Sequence, residues 1–121
     1  MIEKLRKKIV DNNQFTSLLQ FGRGVFGSDF GSVAFVIGIT RVLSYKGTFY
    51  RLFEKSGSVD SVETKEKLFF TQKPYFSKQD NFLRITGIPI AFWLSDQFVN
   101  TFNHPVIGKT MTTREGMATA A

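Results

Sequence analysis

The chain has 121 residues, of which 42% are hydrophobic and 15% aromatic, and a formal net charge of +6. That is enough apolar material for one small domain or parts of two, and too much for wholesale disorder. Cysteine is absent, which excludes disulfides and thiolate metal sites. No apolar run reaches the ~18 residues that a membrane span needs, and no apolar signal core follows the basic N-terminus, so the sequence reads as that of a cytoplasmic protein.

Charge is uneven along the chain. Residues 1–55 carry nine Lys/Arg against four Asp/Glu, whereas residues 56–121 carry seven against six. A basic first half suits an anionic partner such as nucleic acid, and equally a solvated basic helix face.

Ile2, Leu5 and Ile9 recur at helical spacing with Lys4, Arg6, Lys7 and Lys8 between them. This predicts an amphipathic helix ending near Asp11-Asn12-Asn13. Phe15 to Phe21 reads as a strand. The stretch from Gly22 to Ser32 holds four glycines and reads as a loop. Val33-Ala34-Phe35-Val36-Ile37 is a continuous apolar run, the pattern of a strand buried on both faces. Ser44 to Gly47 is a turn, and Thr48 to Phe53 a further strand.

After Lys55 the texture changes. Ser56-Gly57-Ser58 reads as a linker. Asp60 with Glu63 resembles a capping box opening a short helix to about Phe70. Lys73 to Asn81 reads as irregular, Phe82 to Ile85 as a short strand, and Ser95 as the N-cap of a helix over 96–103, with Leu94 stapling onto Val99. Three segments are expected: 1–55, 56–81 and 82–121.

Gly22-Arg23-Gly24-Val25-Phe26-Gly27 matches G-x-G-x-x-G. A dinucleotide fingerprint requires a helix next, and here a strand is predicted. A kinase-type loop requires a lysine in the following strand, and Val33 to Ile39 has none. His104 is the single histidine and has no companion for metal binding. Gly87-Ile88-Pro89 turns into Phe92-Trp93, an aromatic pair suited to core packing or to nucleic-acid contact.

Four stretches together carry a resemblance. They are Gly22 to Ser32 with its apolar strand, Tyr45-Lys46-Gly47-Thr48 leading to Arg51-Leu52-Phe53, Ile85-Thr86-Gly87-Ile88-Pro89-Ile90-Ala91-Phe92-Trp93-Leu94-Ser95, and Thr113-Arg114-Glu115-Gly116-Met117-Ala118-Thr119. In this order the chain resembles the middle of the PglX-type adenine-specific DNA methyltransferases of bacteriophage exclusion (BREX) systems. The resemblance implies an α/β fold. Residues 1–55 would be the C-terminal end of a class I methyltransferase sheet, with a helix and the antiparallel last strands. A linker with a short helix would follow, and then a mixed α+β segment, 82–121, leading into the target-recognition region.

It also implies methyl transfer from S-adenosylmethionine to the adenine amino group of double-stranded DNA, with the adenine flipped out. Other BREX components are further implied partners. Phe26, with Phe30 as fallback, would contact the flipped base, and Arg23, Trp93 and Arg114 would contact DNA. The family's Asp-Pro-x-x-Gly-Ser-Gly-like cofactor motif and catalytic Asn-Pro-Pro-Tyr do not occur in these 121 residues. The chain is therefore expected to be an internal fragment, inactive alone, with no catalytic, cofactor-binding or metal-binding residue of its own. A non-catalytic DNA-binding module or split subunit, and an unrelated phosphate-binding protein, remain as alternatives.

Overall fold

The computed structural model describes residues 3–27 and 29–112. Helix α1 spans Glu3–Asn12 and runs directly into strand β1, Gln14–Gly22. After a loop containing one 3-10 turn, strand β2 returns over Ser32–Gly38. Strand β3 covers Lys46–Arg51. Helix α2 follows at Val62–Thr71, then strand β4 at Tyr75–Lys78, the short helix α3 at Asp80–Leu83 and helix α4 at Asp96–Asn100. None of the helices among the described residues is long and apolar enough to cross a membrane.

The four strands form one mixed sheet in the order β2-β1-β3-β4. β1 pairs antiparallel with β2 and parallel with β3, and β3 pairs antiparallel with β4. One face carries the main core of Val10, Phe15, Leu18, Phe49, Phe82 and Phe92, with Ile88 and Ile90 at its margin. Phe49 stacks on Phe92 at 5.0 Å and meets Phe82 edge-on at 5.8 Å, spacings at which aromatic pairs add to simple burial. The opposite face carries Leu19, Phe21 and Tyr50 and is covered by α2, whose Phe69 lies 5.0 Å from Tyr50. Gly47 is required where β3 passes β1, because a Cβ there would stand 2.6 Å from the Phe15 carbonyl oxygen.

Several predicted elements form as expected. Ser95 caps α4 by accepting from the Phe98 N–H, and Leu94 packs beside Val99. Others differ. In α1, Leu5 is half exposed, and Arg6 instead turns toward the protein, donating to the carbonyls of Gly87 and Ile88. The cap of α2 is Ser61, which accepts from the Thr64 N–H. Asp60 accepts from Ser58 and Glu54 instead. The Ser58 hydroxyl first, then the Glu54 N–H and the Lys65 charge, hold the Asp60 carboxyl below its usual range.

The predicted irregular stretch after Lys73 contains β4, and the predicted strand at Phe82 is helical. Both assignments depend on pairing with β3 and on burial of Phe82, which are non-local. The largest difference concerns β2. The strand forms, but it is an edge strand. Val33, Val36 and Ile37 are 47%, 59% and 37% exposed. Its apolar run is that of an interior strand, yet among the described residues only β1 flanks it.

The lower end of the sheet is fastened by two buried glutamines. Gln79 donates to the carbonyls of Val10 (2.5 Å) and Asn13 (2.6 Å) and accepts from the Phe15 N–H at 2.8 Å. Gln14 accepts from the Val42 N–H at 3.2 Å and donates to Gln79 at 3.4 Å. Arg41 forms an ion pair with Asp80 beside them. Replacing Gln79 by Ala leaves buried backbone groups unpaired and is expected to cost about 2–4 kcal/mol. Urea unfolding measures this, and a loss below about 0.5 kcal/mol, within the range of ordinary surface substitutions, would show that the amide is dispensable.

Candidate nucleic-acid interface

The opposite end of the sheet carries the glycine loop. It leaves β1 at Gly22, makes a 3-10 turn over Val25–Gly27 and enters β2 at Ser32. It therefore joins two antiparallel strands, and among the described residues no α-helix begins there. A second loop, between β3 and α2, is zipped to it. Arg23 forms a parallel bridge with Val59, donates to the Gly57 carbonyl at 2.8 Å and pairs with Asp29 at 2.6 Å. Gly24, at φ +88°, fits against Val59 and the Asp60 carbonyl, where a Cβ would lie 3.0 and 3.2 Å away.

These braces hold the tip outward. Phe26 is 94% exposed, and its backbone is left-handed at φ 57°, a conformation unfavourable for a bulky L-residue. Phe30 is 82% exposed on the same loop. Phe26 and Phe30 are thus both exposed on the glycine loop, and Arg23 braces it. Trp93 lies elsewhere, on the sheet face that carries α1. Arg114 lies outside the described residues.

Two clefts flank the sheet. One, of about 330 Å³, lies under α2 and is lined by apolar side chains together with Lys65 and Glu66. The other, of about 310 Å³, is lined by Arg6, Leu18, Gln20, Val33, Pro89, Ile90, Phe92 and Trp93. At its edge the Arg51 guanidinium lies 4.1 Å from the Trp93 ring centre, within cation–π range. Among the described residues no group of three or more His, Asp or Glu is arranged to hold a metal ion.

The strain and the exposure at Phe26 together give a prediction. Its ring buries almost nothing, and glycine tolerates the left-handed backbone. Phe26→Gly is expected to leave stability unchanged or to raise it by up to about 1 kcal/mol. A thermal melt checks this, and a fall in Tm of about 5 °C, worth roughly 1 kcal/mol in a domain of this size, would mean that the ring is packed.

No family model matches the chain. Two curated proteins do. Over 106 residues, 83% of this chain, it is 32% identical to the adenine-specific methyltransferase BrxX of Escherichia coli O9:H4 (strain HS). Over 97 residues, 73% of this chain, it is 32% identical to the adenine-specific methyltransferase PglX of Lacticaseibacillus casei (strain Zhang). In both cases the match covers 8% of the longer protein. Over most of its length, then, the chain is related to one short segment of the PglX/BrxX adenine-specific methyltransferases.

Proposed function

We propose that this chain is a segment of an adenine-specific DNA methyltransferase that presents an aromatic loop tip to the target base. The reaction is methyl transfer from S-adenosylmethionine to the amino group of a flipped-out adenine, in bacteriophage defence of the BREX type. One observation supports this most strongly. Phe26 is an exposed aromatic held in a strained backbone, on a loop braced by Arg23. Strain of that kind persists where surrounding structure enforces it, and it concentrates at functional sites. A stacking contact with an extruded base is a use for such a ring.

The residues here do not fit a site for S-adenosylmethionine. The glycine loop enters a strand, so no helix N-terminus adds its donors. Gly27 faces open space, and Glu66 is the one carboxylate lining either cleft described above. The methyl donor and the catalytic groups would belong to other parts of the enzyme.

Stacking a base on an aromatic side chain is worth about 1–3 kcal/mol. In an intact enzyme containing this segment, Phe26→Ala is expected to slow methylation by roughly 5- to 150-fold, with Tm nearly unchanged. If activity fell only in proportion to unfolded protein, the ring would have a structural role and the reading would fail. For the 121-residue chain alone, titration calorimetry with S-adenosylmethionine is expected to give no binding. A micromolar dissociation constant would contradict the assignment of cofactor binding to other parts of the enzyme.

A further inference from the structure

The two edges of the sheet are built differently. β4, at one edge, is four residues long, follows Lys73-Pro74 and ends in Lys78. Short length, proline and lysine are devices that keep an edge strand from pairing. β2, at the other edge, has none of them. Ser32–Gly38 contains no charged residue and no proline. Both irregularities in its pairing put the extra residue on β1, so the outer edge of β2 is unbroken over its seven residues. Val33, Phe35, Val36 and Ile37 are exposed along it, and Ile39 and Leu43 of the connection to β3 are 91% and 78% exposed. Together these six side chains offer roughly 600 Å² of apolar surface before any backbone is counted, against the ~800 Å² that each partner brings to a standard interface. The charges nearest the strand are compensated within the chain, Asp29 by Arg23 and Arg41 by Asp80.

We propose that two copies of this chain pair through β2, antiparallel about a two-fold axis at Phe35, the middle residue of the strand. A closed two-fold interface requires a patch that is complementary to itself. An apolar strand edge with no bare charge at either end meets that requirement. In this register Phe35 faces Phe35, Val33 faces Ile37 and Ala34 faces Val36, so each of these opposed pairs is apolar. Phe35 also meets Phe15 of the main core edge-on at 5.7 Å, so the pairing extends the packing of that face across the axis. In the curated relatives, of which the match covers 8%, other segments are at hand for such an edge. For the 121-residue chain in solution, the complementary strand at hand is its own copy. The inference rests on the sheet edge and not on the loop-tip reading, and Phe26 lies outside the opposed residues.

Sedimentation equilibrium of the 121-residue chain at high micromolar concentration is expected to give twice its mass of 13.8 kDa, falling toward the monomer on dilution. Val36→Lys puts a charge into the interface at a side chain already exposed in the single copy. It is expected to raise the dissociation constant about tenfold or more while circular dichroism stays unchanged. Phe76→Lys, on the opposite edge, should leave the dimer intact. The chain has no cysteine, so Phe35→Cys should form a single intermolecular disulfide under mild oxidation, because directly opposed side chains have Cβ atoms about 4.5–5.5 Å apart. A monomer at high micromolar concentration overturns the proposal and leaves the edge to a strand from elsewhere in a longer chain. So does an assembly larger than a dimer, a dimer that survives in folded Val36→Lys, or one that Phe76→Lys dissolves. A dimer in which Phe35→Cys gives no disulfide overturns the two-fold at Phe35. None of these results bears on Phe26, whose role is read from methylation in the intact enzyme.

Discussion

The amide pair Gln14–Gln79 is the constraint on which the remaining geometry depends. Helix α1 turns into β1 within a single residue, which leaves the carbonyls of Val10 and Asn13 and the Phe15 N–H buried and in need of partners. Gln79 supplies all three, from a position more than sixty residues along the chain. Gln14 holds the connection from β2 to β3 as it passes below β1. With that end fixed, β3 lies parallel to β1, β4 joins the far edge, and the Phe49–Phe82–Phe92 cluster closes over one face. The opposite end is then free to carry loops, and both the glycine loop and the Trp93 cleft lie toward it.

Strand β2 shows the other side of this economy. Its residues are apolar on both faces, but among the described residues only β1 flanks it, and Phe26 and Phe30 of its hairpin loop are exposed. An exposed apolar edge is a template for pairing with another strand. The curated relatives are far longer than this chain, which matches 8% of their length, so such proteins have ample further structure with which to cover an edge of this kind.

Local pattern made much of the fold legible. Helical spacing marked α1, alternation and apolar runs marked β1 to β3, glycines marked the connecting loop, and Ser95 marked α4. Signals failed where the deciding contact was distant in sequence. Tyr75 to Lys78 is short and flanked by polar residues, and becomes a strand only because β3 offers an edge. Phe82 is helical because its ring fills the core beneath Phe49. Periodicity reports how apolar a strand is but not its place in the sheet, which is why β2 reads as interior. The base-contact candidates Phe26 and Phe30 were named from the sequence because the loop around them carries the resemblance, and the structure adds that both rings are exposed. The unpaired atoms of Gln20 and Arg51 were not legible, since an unpaired polar atom becomes visible only in three dimensions.

The central claim, that the tip of the glycine loop meets the target base, is tested most directly by photo-crosslinking. A benzoylphenylalanine placed at position 26 of an intact enzyme containing this segment is irradiated with duplex DNA that carries its recognition site. The account predicts a crosslink to the strand bearing the target adenine, at or beside that base, and its loss when the site is scrambled. Crosslinks confined to the protein, or spread evenly over site and non-site DNA, would contradict it.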